Sequence, residues 1–211
     1  LSHTPCDNAA FTAARGLSAA SQLRTPIDIA LVGTNAYITD AHHTHPALYV
    51  VSIAHVCKSF SSAEAGGEQG AAGRGAVKRV KLRGRAPRQP FGIAADVTTG
   101  ELFVGCRTAC AVLCVTLSST EDGVVETFCE LPAPPSGIDF SPATTGTPAR
   151  LVVAVGDAVF LVHRASRVKQ RVFQRDGASL CGVRFAPPGL GGALFIMNET
   201  GNAVLRLGAN T

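Results

Sequence analysis

Four segments of the chain align in the same three columns, and this internal repetition restricts the fold more than any other feature. Pro26-Ile27-Asp28-Ile29, Pro90-Phe91-Gly92-Ile93, Pro135-Ser136-Gly137-Ile138 and Leu180-Cys181-Gly182-Val183 each end on an aliphatic anchor. A short apolar run follows each one: Tyr37–Asp40, Phe103–Cys106, Val152–Val155 and Phe195–Asn198. Then comes a run opening on Ala and a large apolar residue: Ala47-Leu48, Ala111-Val112, Ala158-Val159 and Ala203-Val204. The anchor lies 18 residues before that Ala in the first two units (29 to 47, 93 to 111) and 20 before it in the last two (138 to 158, 183 to 203). Successive anchors are 64, 45 and 45 residues apart. The long first step contains a Gly/Ala/Ser-rich insert, residues 59–76, which reads as a flexible loop tip.

A fourth run with strand-like alternation closes each of the first three units, at Val77–Arg83, Val124–Leu131 and Arg167–Gln174. Turn residues such as Gly33-Thr34-Asn35, Asp122-Gly123 and Gly156-Asp157 separate the runs. The implied unit is a four-stranded antiparallel sheet of roughly 45 residues, and the fold class is all-β: a β-propeller of such blades. The units fall at 25–88, 89–133, 134–178 and 179–211, in a single propeller domain or propeller fragment. The last unit shows only three strands, and Phe11–Arg15 has the position of a strand that completes a sheet begun elsewhere.

Composition agrees with this reading. With 22 Gly and 12 Pro in 211 residues, long helices are disfavoured, and 46% apolar against 16% charged residues excludes wholesale disorder. The longest apolar runs, such as Cys110–Leu117, are far shorter than the roughly 20 residues of a spanning helix, so no membrane span is expected. Seven cysteines form an odd, widely spaced set, from which reduced thiols and an intracellular setting are expected. The sequon Asn198-Glu199-Thr200 points the other way.

The columns resemble the NHL repeat. Pro90-Phe91-Gly92-Ile93-Ala94-Ala95-Asp96 and Tyr37-Ile38-Thr39-Asp40 carry the likeness best, with Gly201-Asn202-Ala203-Val204 and the blade entry Ser21-Gln22-Leu23-Arg24-Thr25-Pro26 beside them. Cys106 and Val155 depart from it, standing where the repeat has Asp. The resemblance implies a propeller of six blades in most members. Two architectures are therefore open here: a closed four-bladed ring, or an arc of a six-bladed one.

Three clusters bear on function. His42, His43 and His45 could gather around a metal on a channel-facing loop, but all lie in one unit with His55, and only His163 lies in another. Asp28 and Asp139 occupy inner-strand positions without the Glu or Asn that a lactonase-like calcium site needs. Cys106, Cys110 and Cys114 read as core packing. No cofactor is implied.

The strongest lead is charge. Net charge is only +4, yet 12 of the 19 basic residues fall in two acid-free blocks on outermost strands. One holds Arg74, Lys78, Arg79, Lys81, Arg83, Arg85 and Arg88; the other holds Arg164, Arg167, Lys169, Arg171 and Arg175. Basic edge strands discourage aggregation and also bind acidic partners or phosphates. The expected function is a non-enzymatic protein-interaction scaffold using this basic surface and the neighbouring insert. A metal-dependent lyase or hydrolase with a central-channel site, and an RNA-binding propeller, are the alternatives.

Overall fold

The computed structural model describes residues 23–54, 77–144, 146–186 and 192–208. Phe11–Arg15, the 59–76 insert with Arg74, and His55 lie outside the described residues. Strands dominate the described chain, and none of its helices is long and apolar enough to cross a membrane.

Blade 1 is an antiparallel sheet of β1 (Pro26–Val32), β2 (Asn35–Asp40), β3 (Ala47–Ser52) and β4 (Val77–Arg79), in that order. The short strand β5 (Lys81–Gly84) follows. Blade 2 is built from β6 (Pro90–Asp96), β7 (Glu101–Cys106), β8 (Ala111–Leu117) and β9 (Asp122–Glu130). Blade 3 holds β10 (Pro135–Ser141), β11 (Arg150–Val155), β12 (Ala158–His163) and β13 (Lys169–Gln174). Blade 4 has three described strands, β14 (Leu180–Phe185), β15 (Leu194–Asn198) and β16 (Ala203–Leu207).

The repeat columns are columns of strand register. Ile29 faces Ile38, Ile93 faces Val104, Ile138 faces Val153 and Val183 faces Ile196 between first and second strands. Between second and third strands, Asp40 faces Ala47, Cys106 faces Ala111, Val155 faces Ala158 and Asn198 faces Ala203. Each first strand also shifts register next to its opening residue. Because side chains alternate with a period of two, a shared register puts equivalent residues of every blade on equivalent faces.

Those faces make three apolar layers, one between each pair of successive blades. Tyr37, Leu48 and Val50 of blade 1 meet Ile93, Leu102, Leu113 and Val115 of blade 2. Phe103 stacks on Phe140 at 5.3 Å and meets Phe128 edge-on at 5.0 Å between blades 2 and 3. Val152, Ala154 and Val159 of blade 3 pack on Leu180, Val183 and Ile196 of blade 4. Each such Val, Leu or Ile contributes about 1.5–3 kcal/mol on burial, and no blade could collect this alone. The two terminal flanks differ: Ile29 and Leu31 on blade 1, and Met197 and Val204 on blade 4, are each more than half exposed.

One expected strand is divided. Val77–Arg83 was to close blade 1, but only Val77–Arg79 pairs with β3, while β5 runs parallel to β9 as a fifth strand of blade 2. The crossing takes one residue. Val80 donates its N–H to Leu48 O at 2.8 Å in blade 1, and Lys81 donates to Glu121 O at 2.7 Å in blade 2. The Val80 side chain, 3% exposed, is buried in the layer between them. Burying that side chain favours the switch over continuing along a half-solvated edge.

Candidate partner-binding surface

Along the axis, the inner strands approach closely enough to exclude side chains. A Cβ on Gly137 would lie 2.7 Å from Gly182 Cα, and one on Gly92 would lie 2.8 Å from Ile138 Cγ2. Blade 1 has Asp28 in this column, and its carboxylate accepts the Ile93 N–H at 3.2 Å. Arg184 of blade 4 reaches the same carboxylate at 3.2 Å and donates to Ile138 O at 2.5 Å. Asp139 accepts the Phe185 N–H at 2.7 Å; burial pushes its carboxyl above the usual range, against the pull of that amide and of Arg184. The axial polar groups are thus spent on joining blades.

The histidine loop is held from within. Asp40, buried at the end of β2, accepts the backbone N–H groups of Arg24, Thr25 and His42. The His42 ring lies 4.6 Å from His43 and 5.9 Å from His45, and Thr44 Oγ1 sits 3.1 Å from His42 Nδ1 and 2.6 Å from His45 Nδ1. With one hydroxyl proton available, at least one of these imidazoles donates from Nδ1. Among the described residues, no three His, Cys, Asp or Glu side chains converge as a metal ion requires.

Cys106 and Cys114 are core residues, in the layers on either side of blade 2. Burial pushes the Cys114 thiol up to about 11, which keeps it protonated and inert. Cys110 differs from the expectation: it occupies the β7–β8 turn with a left-handed backbone (φ 45°) rather than a strand face. Asn198 of the sequon is 3% exposed, with Oδ1 accepting the Gly201 N–H, so its amide is not presented to solvent.

The two basic blocks meet at blade 2 but behave differently. In the second block, Arg164 spans Asp96 (Nε to Oδ2, 3.5 Å) and Glu101, both largely buried. Burial alone would raise the Asp96 carboxyl, but hydrogen bonds from Thr98 and Thr99 outweigh it and hold the group below its ordinary range. Arg167 pairs with Glu126 at 2.8 Å and lies 5.3 Å above the Phe128 ring. Its left-handed backbone (φ 57°), sterically costly for a side chain this size, turns it toward blade 2. Lys169 donates to Glu130 O at 2.6 Å. These three cations fasten blade 3 onto blade 2.

In the first block, Lys78 joins blade 1 to Glu121 at 2.6 Å, and Arg79 reaches Pro46 O at 3.5 Å. Lys81, Arg83, Arg85 and Arg88 are exposed and make no ion pair among the described residues; Arg171 of β13 is alike. Lys81 and Arg83 lie opposite Asp122 and Val124 of β9, and Asp122 is itself held by the Ser119 hydroxyl at 3.1 Å. The free charge therefore concentrates on β5 and the loop after it. Sequence reasoning marked these residues, but not that β5 belongs to blade 2, nor that the second block is occupied. The acids that occupy it, Asp96, Glu101 and Glu126, lie about 40 to 70 residues away along the chain.

No protein-family model matches the chain, and no curated protein sequence matches it. Solved structures do. A chain of a nidogen/laminin complex aligns with TM-score 0.60 at 16% identity, over 83% of this chain and 57% of its own. A gluconolactonase from Xanthomonas campestris aligns with TM-score 0.62 at 14% identity, over 85% and 56%. A luciferin-regenerating enzyme aligns with TM-score 0.58 at 12% identity, over 87% and 61%. The chain spans less than two thirds of each. These likenesses show the β-propeller fold.

Proposed function

We propose that this NHL-like propeller is a non-enzymatic interaction scaffold whose basic outer rim recognises an acidic protein partner. The observation that carries this reading is the unspent charge of Lys81, Arg83, Arg85 and Arg88, exposed together beside blade 2. Of the other described cations near blade 2, Lys78, Arg164, Arg167 and Lys169 are consumed by contacts between blades, and Arg107 lies over the Phe91 ring of blade 2 itself. Four clustered cations raise the local positive potential and speed encounter with an acidic surface, with strong dependence on salt. The neighbours by fold include both enzymes and a protein complex, so fold alone does not select between catalysis and binding.

The test is retention on an immobilised polyanion. Lys81→Glu/Arg83→Glu is expected to elute at clearly lower salt than the parent, and unchanged elution would remove the rim from consideration. The metal-enzyme alternative has its own assay. A stoichiometric, tightly held metal in purified protein, lost in His42→Ala or His45→Ala, would overturn the scaffold reading.

A further inference from the structure

We infer that the outer edge of β5 takes up an extended acidic segment of a partner protein as an additional strand of blade 2. The inference rests on the scaffold reading above and adds the mode of recognition. Its first support is backbone geometry. In a parallel ladder, alternate residues turn both N–H and C=O toward the neighbouring strand. Lys81 donates to Glu121 O, so Lys81 and Arg83 are the residues bonded to β9. Leu82 consequently turns its N–H and C=O to the other side, where no strand lies among the described residues, and Gly84, at φ 97°, ends the extended run. An edge of this kind is a template for strand addition.

The second support is how firmly the template is held. The Leu82 side chain packs into the apolar layer between blades 1 and 2, and Val80 just before it is buried there. The strand cannot slip by one residue without exposing Leu82 and burying a cation. Lys81 and Arg83 share the opposite face.

The third support is charge. A strand laid along β5 places every second side chain beside Lys81 and Arg83, roughly 6.6 Å apart, with Arg85 in the bend beyond Gly84. Acidic residues at alternate positions match this series, and cross-strand opposite charges favour the pairing. No acid occurs in the chain between Glu68 and Asp96 to compete from within the segment. Nucleic acid is the weaker match: the chain has no Trp, and both tyrosines are buried, leaving few rings on which bases could stack.

The experiment uses fluorescence anisotropy with a labelled peptide alternating Glu and Val, about nine residues long, against the parent protein. Two further peptides carry N-methyl groups on one or the other alternate set of amides, leaving charge unchanged. Strand addition requires that one methylated set weaken binding at least tenfold and that the other leave it within about twofold. Lys81→Glu/Arg83→Glu is expected to weaken the unmodified peptide at least tenfold, and Arg171→Glu to leave it unchanged. The methylated peptides need no variant protein, so a misfolded variant would not obscure the result. Binding insensitive to both methylation patterns, yet lost in the double variant, would overturn strand addition and leave the scaffold reading standing. Preference for a single-stranded RNA oligonucleotide, or no binding of either probe, would overturn both.

Discussion

The basic blocks after blade 1 and at the end of blade 3 look alike in sequence and differ in use. Arg164, Arg167 and Lys169 are held by Asp96, Glu101, Glu126 and the Glu130 carbonyl, and so belong to the architecture. Lys81, Arg83, Arg85 and Arg88 lean on nothing acidic among the described residues. A run of positive charge is thus no statement about binding until its internal acids are found. The chain places those acids on blade 2, where they meet the block of blade 3, while Asp122, opposite Lys81 on β9, is held by the Ser119 hydroxyl.

Substitutions can sharpen or break this contrast. The largest effect is expected at Arg164. Arg164→Ala leaves the buried Asp96 and partly buried Glu101 carboxylates without their cation, and should cost about 2–3 kcal/mol in chemical denaturation. Asp96 also gives stability a pH dependence of its own. The Asp96 carboxyl is held below its ordinary range, so its stabilisation is present above the unfolded pKa and fades as pH falls through the lower folded value. Thr98 and Thr99 supply that hold, so the parent and Arg164→Ala should lose it alike in acid, whereas Thr98→Ala should flatten the acid loss; a Thr98→Ala profile identical to the parent's would break the assignment.

Arg167→Ala should cost less, about 1 kcal/mol or under, because the pair with Glu126 is exposed and salt screens it. Arg167→Gly should cost less still, since glycine relaxes the left-handed backbone there. Urea midpoints at low and high salt would check both. Arg83→Ala is expected to change stability by no more than about 0.5 kcal/mol. A cost at Arg83 equal to that at Arg164 would erase the contrast and make β5 another fastening.

Much of the fold was legible because strand structure is written locally. The anchors Ile29, Ile93, Ile138 and Val183 predict four equivalent strands, and each faces the equivalent aliphatic residue of the next strand. Where a residue's fate turned on a neighbouring blade, local pattern was insufficient. Val77–Arg83 has the alternation of one strand, yet the burial of Val80 between two sheets divides it. Cys110 lies four residues before Cys114, a spacing suited to one strand face, but it belongs to the turn.

The amino-acid sequence by itself determined the blade unit, its register columns and the positions of positive charge along the chain. These depend on a two-residue period and on turn residues, both of which act over a few positions. Tertiary structure alone decided which charges are spent. Arg164 meets Glu101 across 63 residues, Arg167 meets Glu126 across 41, and Arg184 meets Asp28 across 156. Such pairs form only once blades are stacked, since stacking is what brings distant rims within the few ångströms over which an ion pair is strong. The stacking also moved β5 onto blade 2, leaving a cationic edge free to meet another chain.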